Sequence, residues 1–128
     1  MECSRPAARL VGEDESPAVW IFAHAPLPAG VISAILWGLE EEGIPAEVRE
    51  VPPSRAALLA RQAAIGSPLG VGIGVSVLDT RAVLDHRDLP EGAPLFDLAI
   101  DRPGHDGLRR MGANAARLVK GDALAYPD

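Results

Sequence analysis

Trp37 and Glu41 stand four residues apart in the run Ile35-Leu36-Trp37-Gly38-Leu39-Glu40-Glu41-Glu42-Gly43, a spacing that makes two side chains neighbours on one side of a helix. Val31, Ile32, Ile35, Leu36 and Leu39 fall on the opposite side when residues are placed at about 100° intervals. The chemistry on offer is an aromatic anchor beside a carboxylate that could meet a metal ion or a partner's Arg or Lys. Three acids crowd the end of this helix, where the helix dipole is negative and each acid is unfavourable. A cation held near Glu41 would offset that. The plainer reading is a Trp tucked under a loop beside a solvated acidic turn.

Other residue types that could do chemistry are scattered. His24, His86 and His105 lie far apart in the chain and lack the close spacing of local metal motifs. His24 follows an apolar run, and the ends of such strands often carry ligand groups in α/β sheets. Ser67 and Ser76 lack the GxSxG elbow of a nucleophile, and Cys3, the only cysteine, has nothing around it to activate a thiol. Asp85, Asp88, Asp97 and Asp101 could pair for acid–base work, although loop carboxylates are usually just solvated. Gly70-Val71-Gly72-Ile73-Gly74 invites a dinucleotide reading. It fails on context, because a phosphate-cradling loop follows a strand and opens a helix, whereas these glycines alternate within a strand. Such a stripe suits the close approach of another backbone.

The elements that must position these residues alternate between strand and helix. Residues 18–23 (AVWIFA) read as a strand buried on both faces. The helix carrying Trp37 is predicted over 29–42, with Pro28 in its first turn. Gly43 suits a left-handed stop, with Ile44 folding back onto Leu39 as in a Schellman motif and Pro45 ending the helix. A strand over 44–51 follows. Ser54 is placed as N-cap of a second helix over 55–65. Residues 71–77 form the clearest strand, with Val71, Ile73, Val75 and Val77 on one face and Gly70, Gly72, Gly74 and Ser76 on the other. A short edge strand over 81–86, a strand over 95–100 and a last helix over 106–120 capped by Gly121 complete the reading. In that helix the small residues around Gly112 permit tight packing, and Asn114 is available for a polar contact at an interface. The whole is an α/β fold of three layers, a mostly parallel sheet flanked by helices, with a flexible tail over 1–17 and a single domain over 18–128.

Composition narrows the function. A chain of 128 residues fits one domain. Aromatics make up only 4%, so the core rests on Val, Ile, Leu and Ala, and an exposed Trp is conspicuous. A net charge of −6 argues against nucleic acid. No apolar stretch approaches the roughly 18 residues of a membrane span, and the acidic N-terminus does not resemble a secretion signal. A cytoplasmic protein is expected.

Three motifs in order carry a family resemblance: Leu36-Trp37-Gly38-Leu39-Glu40-Glu41-Glu42-Gly43-Ile44-Pro45, then Ser67-Pro68-Leu69-Gly70-Val71-Gly72-Ile73-Gly74, then Gly112-Ala113-Asn114-Ala115-Ala116-Arg117-Leu118-Val119-Lys120. Over about residues 18–122 the chain resembles the small subunit of diol/glycerol dehydratase reactivase, with 79–103 the weaker part. The resemblance implies a fold similar to the dehydratase medium subunit and a non-catalytic, chaperone-like role beside an actin-like ATPase large subunit. In that family the small subunit gives way to a dehydratase subunit, and the swap releases damaged cobalamin from the adenosylcobalamin-dependent enzyme. It also implies that Glu41 reaches a Mg²⁺ or similar divalent ion on the large subunit, which binds ATP or ADP. Trp37, Glu40, Glu41 and Asn114 are then the expected partner interface. Two alternatives stay open: a medium-type structural subunit of a cobalamin-dependent dehydratase, for which the chain is short, and a small α/β enzyme using His24. Which dehydratase is served, and whether a microcompartment encloses the system, the sequence leaves open.

Overall fold

The computed structural model describes residues 17–102 and 104–121. Most of the expected tail over 1–17, with Cys3, and the last residues of the 18–128 domain therefore lie outside the described residues. The elements run in the order β1 (Val19–His24), α1 (Val31–Glu41), β2 (Ala46–Glu50), α2 (Ala56–Gly66), β3 (Val71–Ser76), β4 (Arg81–His86), β5 (Phe96–Ala99) and α3 (Asp106–Lys120). The five strands form one sheet in the order β2-β1-β3-β4-β5. β1 pairs in parallel with β2 and β3, whereas β4 is antiparallel to both β3 and β5. Four of the five strands thus point the same way, and only β4 runs against them.

Alternation along the strands splits the side chains between two helical layers. Val19 and Ile21 of β1, Val71, Ile73 and Val75 of β3, and Ala82 and Leu84 of β4 join α1 and α3 in the main core, where Val31, Ile35, Leu39, Leu108, Met111 and Ala115 meet them. Fully burying each large aliphatic side chain contributes about 1.5–3 kcal/mol. On the other face Val83 packs with Ala56 and Ala60 of α2. Here the glycine stripe finds its purpose: a Cβ on Gly72 would collide with the backbone of Ala60, Ala63 and Ala64, and one on Gly74 with that of Ala56, Leu59 and Ala60. α2 therefore lies directly on β3, as the strand pattern predicts, and no phosphate loop exists there.

Several local expectations change. β1 is not buried on both faces, because Trp20 and Phe22 stay half-buried on the α2 side, with ring centroids 5.9 Å apart. α1 begins at Val31 after Gly30 at φ 86°, leaving Pro28 outside the helix. Ser54 does not cap α2. Its carbonyl accepts from Ser76 Oγ at 2.6 Å, and the first helical amide, Ala56 N–H, is met by the Asp79 carboxylate at 3.3 and 3.4 Å. A cap delivered from the β3–β4 turn is invisible to a local sequence rule. β4 is interior and β5 takes the edge, because 81–99 folds as a second antiparallel hairpin turn beyond β3. The stop of α1 forms as expected: Gly43 has φ 76°, its N–H donates to Glu40 O at 3.0 Å, and Ile44 N–H donates to Leu39 O at 3.1 Å. α3 spans the expected residues, with Gly121 at φ 78° closing it.

Candidate functional site

α1 and α3 lie side by side and run in the same direction. Gly30 meets the His105 ring at their N-terminal ends, while Glu42 meets Arg117 and Lys120 near their C-terminal ends. Glycine sets their spacing. A Cβ on Gly38 would collide with the Arg109 carbonyl and the Ala113 amide, and one on Gly112 with the Ile35 carbonyl. This close approach brings Arg109, in the first turns of α3, onto the outer surface of α1.

There three side chains come together. The Arg109 guanidinium carbon sits 4.4 Å from the centre of the Trp37 ring, a cation–π arrangement. Its Nε donates to Glu41 Oε1 at 3.2 Å and a terminal nitrogen donates to Glu41 Oε2, a bidentate pairing. Trp37 remains 56% exposed. Glu41 lies at the negative end of α1 and Arg109 near the positive end of α3, so each opposes the dipole of its own helix. Pairing across the seam relieves both. The hydrogen bond from Arg109 holds the Glu41 carboxyl below the usual glutamate range, partial burial works against it, and the same contact raises the Arg109 guanidinium.

The neighbouring acids differ. Glu42 is clamped by Lys120 Nζ at 2.8 Å and by Arg117 at 3.3 and 3.4 Å, and Lys120 also donates to the Glu42 carbonyl at 3.2 Å. The Lys120 hydrogen bond is the main cause of its lowered carboxyl pKa. Glu40 is exposed to solvent. Two of the three acids of the cluster, Glu41 and Glu42, are therefore neutralised from within the chain, by cations of α3.

Beside Trp37 and Arg109 lies a cleft of about 210 Å³ lined also by Gly30, Ser33, His105 and Asp106. On the other flank of α1 an apolar groove of about 450 Å³ is lined by Leu27, Ile32, Leu36 and Val48. Such a surface suits recognition: an exposed aromatic, a charged pair and a half-buried apolar margin.

The remaining expected residues do not join it. Asn114 is only 1% exposed. It faces inward on α3 between Met111 and Ala115, and it cannot touch a partner at the surface as expected. His24 pairs in register with Ser76 at one end of the sheet, and His86 pairs with Val71 at the other. Asp85 is buried on the α2 face, accepting from His86 N–H at 2.8 Å with Arg61 3.8 Å away, and Asp97 pairs with Arg81 at 2.7 Å. These acids hold strands and loops together. Among the described residues no group of three or more His, Cys, Asp or Glu could hold a metal ion, and no helix is long and apolar enough to cross a membrane. The residue that sequence reasoning missed is Arg109, 68 positions from Glu41. The available signal was Gly38 and Gly112 on two helices, a small-residue pair that draws helices together.

Comparison with known proteins agrees with this architecture. Residues 16–125 match the family described as dehydratase medium subunit. The propanediol dehydratase-reactivating factor small subunit of Citrobacter freundii is 44% identical over 106 residues, 83% of this chain and 88% of that one. The diol dehydratase-reactivating factor small subunit of Klebsiella michiganensis is 41% identical over 92 residues, 72% and 71% of the two chains. A solved glycerol dehydratase reactivase superposes with a TM-score of 0.80 at 39% identity, covering 87% of this chain and 98% of its own. A diol dehydratase-reactivating factor solved with ADP and Mg²⁺ gives 0.78 at 37% identity, covering 87% and 99%. The chain belongs to the dehydratase medium-subunit family and groups within it with the small subunits of diol and glycerol dehydratase-reactivating factors.

Proposed function

We propose that this chain is the non-catalytic small subunit of a dehydratase reactivase and that the Trp37–Arg109–Glu41 face meets its large subunit. The observation that carries the reading is the Trp37 ring, 56% exposed in a chain with few aromatics and fixed beneath Arg109. An exposed aromatic held in one orientation costs little entropy on binding, and such residues dominate interface energetics. The large subunit, an actin-like ATPase, turns over ATP. This chain yields its place to the medium subunit of a cobalamin-dependent dehydratase, loosening the enzyme so that damaged cobalamin leaves. Membership of one family with dehydratase medium subunits supports that exchange, since the two must present alike surfaces. The system is placed in the cytoplasm, with or without an enclosing microcompartment.

The residues present fit a shared divalent ion in one way only. Among the described residues Glu41 belongs to no group of three or more His, Cys, Asp or Glu that could hold a metal ion. One carboxylate is enough for Mg²⁺, which commonly keeps waters and phosphate oxygens as its other ligands. Glu41 would supply that one oxygen ligand to an ion held with nucleotide by the large subunit, and Glu40 would lie at the rim of the contact. A bound Mg²⁺ would add charge neutralisation between the subunits.

Co-expression with the large subunit, followed by reactivation of an inactivated dehydratase with ATP, Mg²⁺ and fresh adenosylcobalamin, tests this. Wild-type complex is expected to restore activity, and complexes bearing Trp37→Ala or Glu41→Gln to restore much less. Full reactivation by both variants would end the proposal. The family's medium-subunit description favours a second reading, a structural subunit of a dehydratase. Stable binding to a dehydratase catalytic subunit with cobalamin retained would establish that reading instead.

A further inference from the structure

We infer that Arg109 is a positioning residue, an internal stand-in cation that holds Glu41 in place and competes with a partner-held metal ion for its carboxylate. The inference rests on the reading that Glu41 meets such an ion. Its own support is geometric. Arg109 engages both oxygens of Glu41 through one lone pair each, so a metal taking the remaining lone pairs would share the carboxylate with a guanidinium charge that repels it. The pair is nevertheless open to solvent, with side chains 43% and 35% exposed. Exposed pairs are weak and salt-screened, which makes this one exchangeable. The adjacent Glu42 shows the contrast: two cations hold it, and its side chain is only 20% exposed. Glu42 is locked, and Glu41 is latched.

Trp37 makes the latch reversible. With the guanidinium stacked on the indole, Arg109 keeps one favourable contact after Glu41 turns away, so its charge need not be stranded. The Gly38 seam fixes the Arg109 backbone against α1, and only the carboxylate has to move.

The test is the Mg²⁺ dependence of association between the full chain and its ADP-loaded large subunit, measured for wild type, Arg109→Gln, Arg109→Lys, Glu41→Gln and the Glu41→Gln/Arg109→Gln double variant. Removing the competitor should lower the Mg²⁺ concentration needed for half-maximal association by about two- to fivefold in Arg109→Gln, the scale of an exposed pair. Arg109→Lys should fall between, because lysine keeps the charge without the planar fork. In the Glu41→Gln background the Arg109→Gln gain should vanish, since the effect passes through Glu41. An unchanged or raised Mg²⁺ requirement in Arg109→Gln, with the melting curve of the subunit intact, overturns the latch. If Arg109→Gln fails to fold, the Arg109→Lys result decides alone, and a wild-type requirement there overturns it. Should Glu41→Gln leave the Mg²⁺ dependence untouched, the underlying metal reading fails, and the latch fails with it for that separate reason.

Discussion

Trp20 and Trp37 are each covered by an arginine that also pairs with a glutamate, yet the two trios are used differently. Arg49 lies 4.3 Å from the Trp20 ring centre and donates to Glu47 at 3.2 Å. Arg109 lies 4.4 Å from the Trp37 ring centre and donates to Glu41. Trp20 is enclosed on further sides, stacked on Phe22 and pressed by Gly66 at the end of α2, where an added Cβ would lie 2.5 Å from the ring. Trp37 stays 56% exposed, with Arg109 over its ring. The same chemistry serves as a fastener of the sheet to α2 in one place and as an open surface in the other. What separates them is enclosure, set by which helix lies over the ring.

The largest expected effect breaks the enclosed trio. Trp20→Ala removes a half-buried indole between β1 and α2 and should cost about 3 kcal/mol of stability, lowering the melting temperature by roughly 10 °C. Calorimetry of the isolated chain checks it, and binding to the large subunit should survive at temperatures where the fold is intact. A loss of binding without loss of stability would erase the distinction between the two tryptophans.

A smaller effect sharpens the comparison through pH. Arg109 and Lys120 hold the Glu41 and Glu42 carboxyls below their ordinary value of 4.5. Groups with lowered folded pKa values contribute their stability in full above the unfolded pKa and lose it as pH falls through the folded one. Melting temperature should therefore decline from about pH 5 downward, and more gently in Glu42→Gln and Glu41→Gln. Identical acid profiles for these variants and wild type would show that the α1–α3 pairs contribute nothing to the fold.

Much of this architecture was legible in the chain. Gly43, Ile44 and Pro45 state the end of α1 locally, and the 3.6-residue spacing of Leu108, Met111 and Ala115 states α3, because both signals lie within a few residues of the structure they cause. The exposure of Trp37 and its adjacency to Glu41 follow from one helical wheel. Non-local facts escaped. The cap of α2 comes from Asp79, not Ser54, and the interior position of β4 depends on a fifth strand closing the edge. Asn114 looked like a surface amide because a wheel cannot say which neighbour covers a polar residue. The acids at the end of α1 looked as though they awaited a foreign cation. Arg109 already fills that role from another helix, and only the Gly38–Gly112 seam brings it there.

The most direct measurement is the affinity of the large subunit for this chain carrying Trp37→Ala, set against Leu58→Ala, since Leu58 on α2 is 50% exposed and Trp37 is 56% exposed. If the α1–α3 face is the interface, Trp37→Ala raises Kd by about 30-fold, corresponding to about 2 kcal/mol, while Leu58→Ala leaves Kd and both melting curves near wild type. A Kd unchanged by Trp37→Ala but raised by Leu58→Ala would place the interface on α2 and contradict the account.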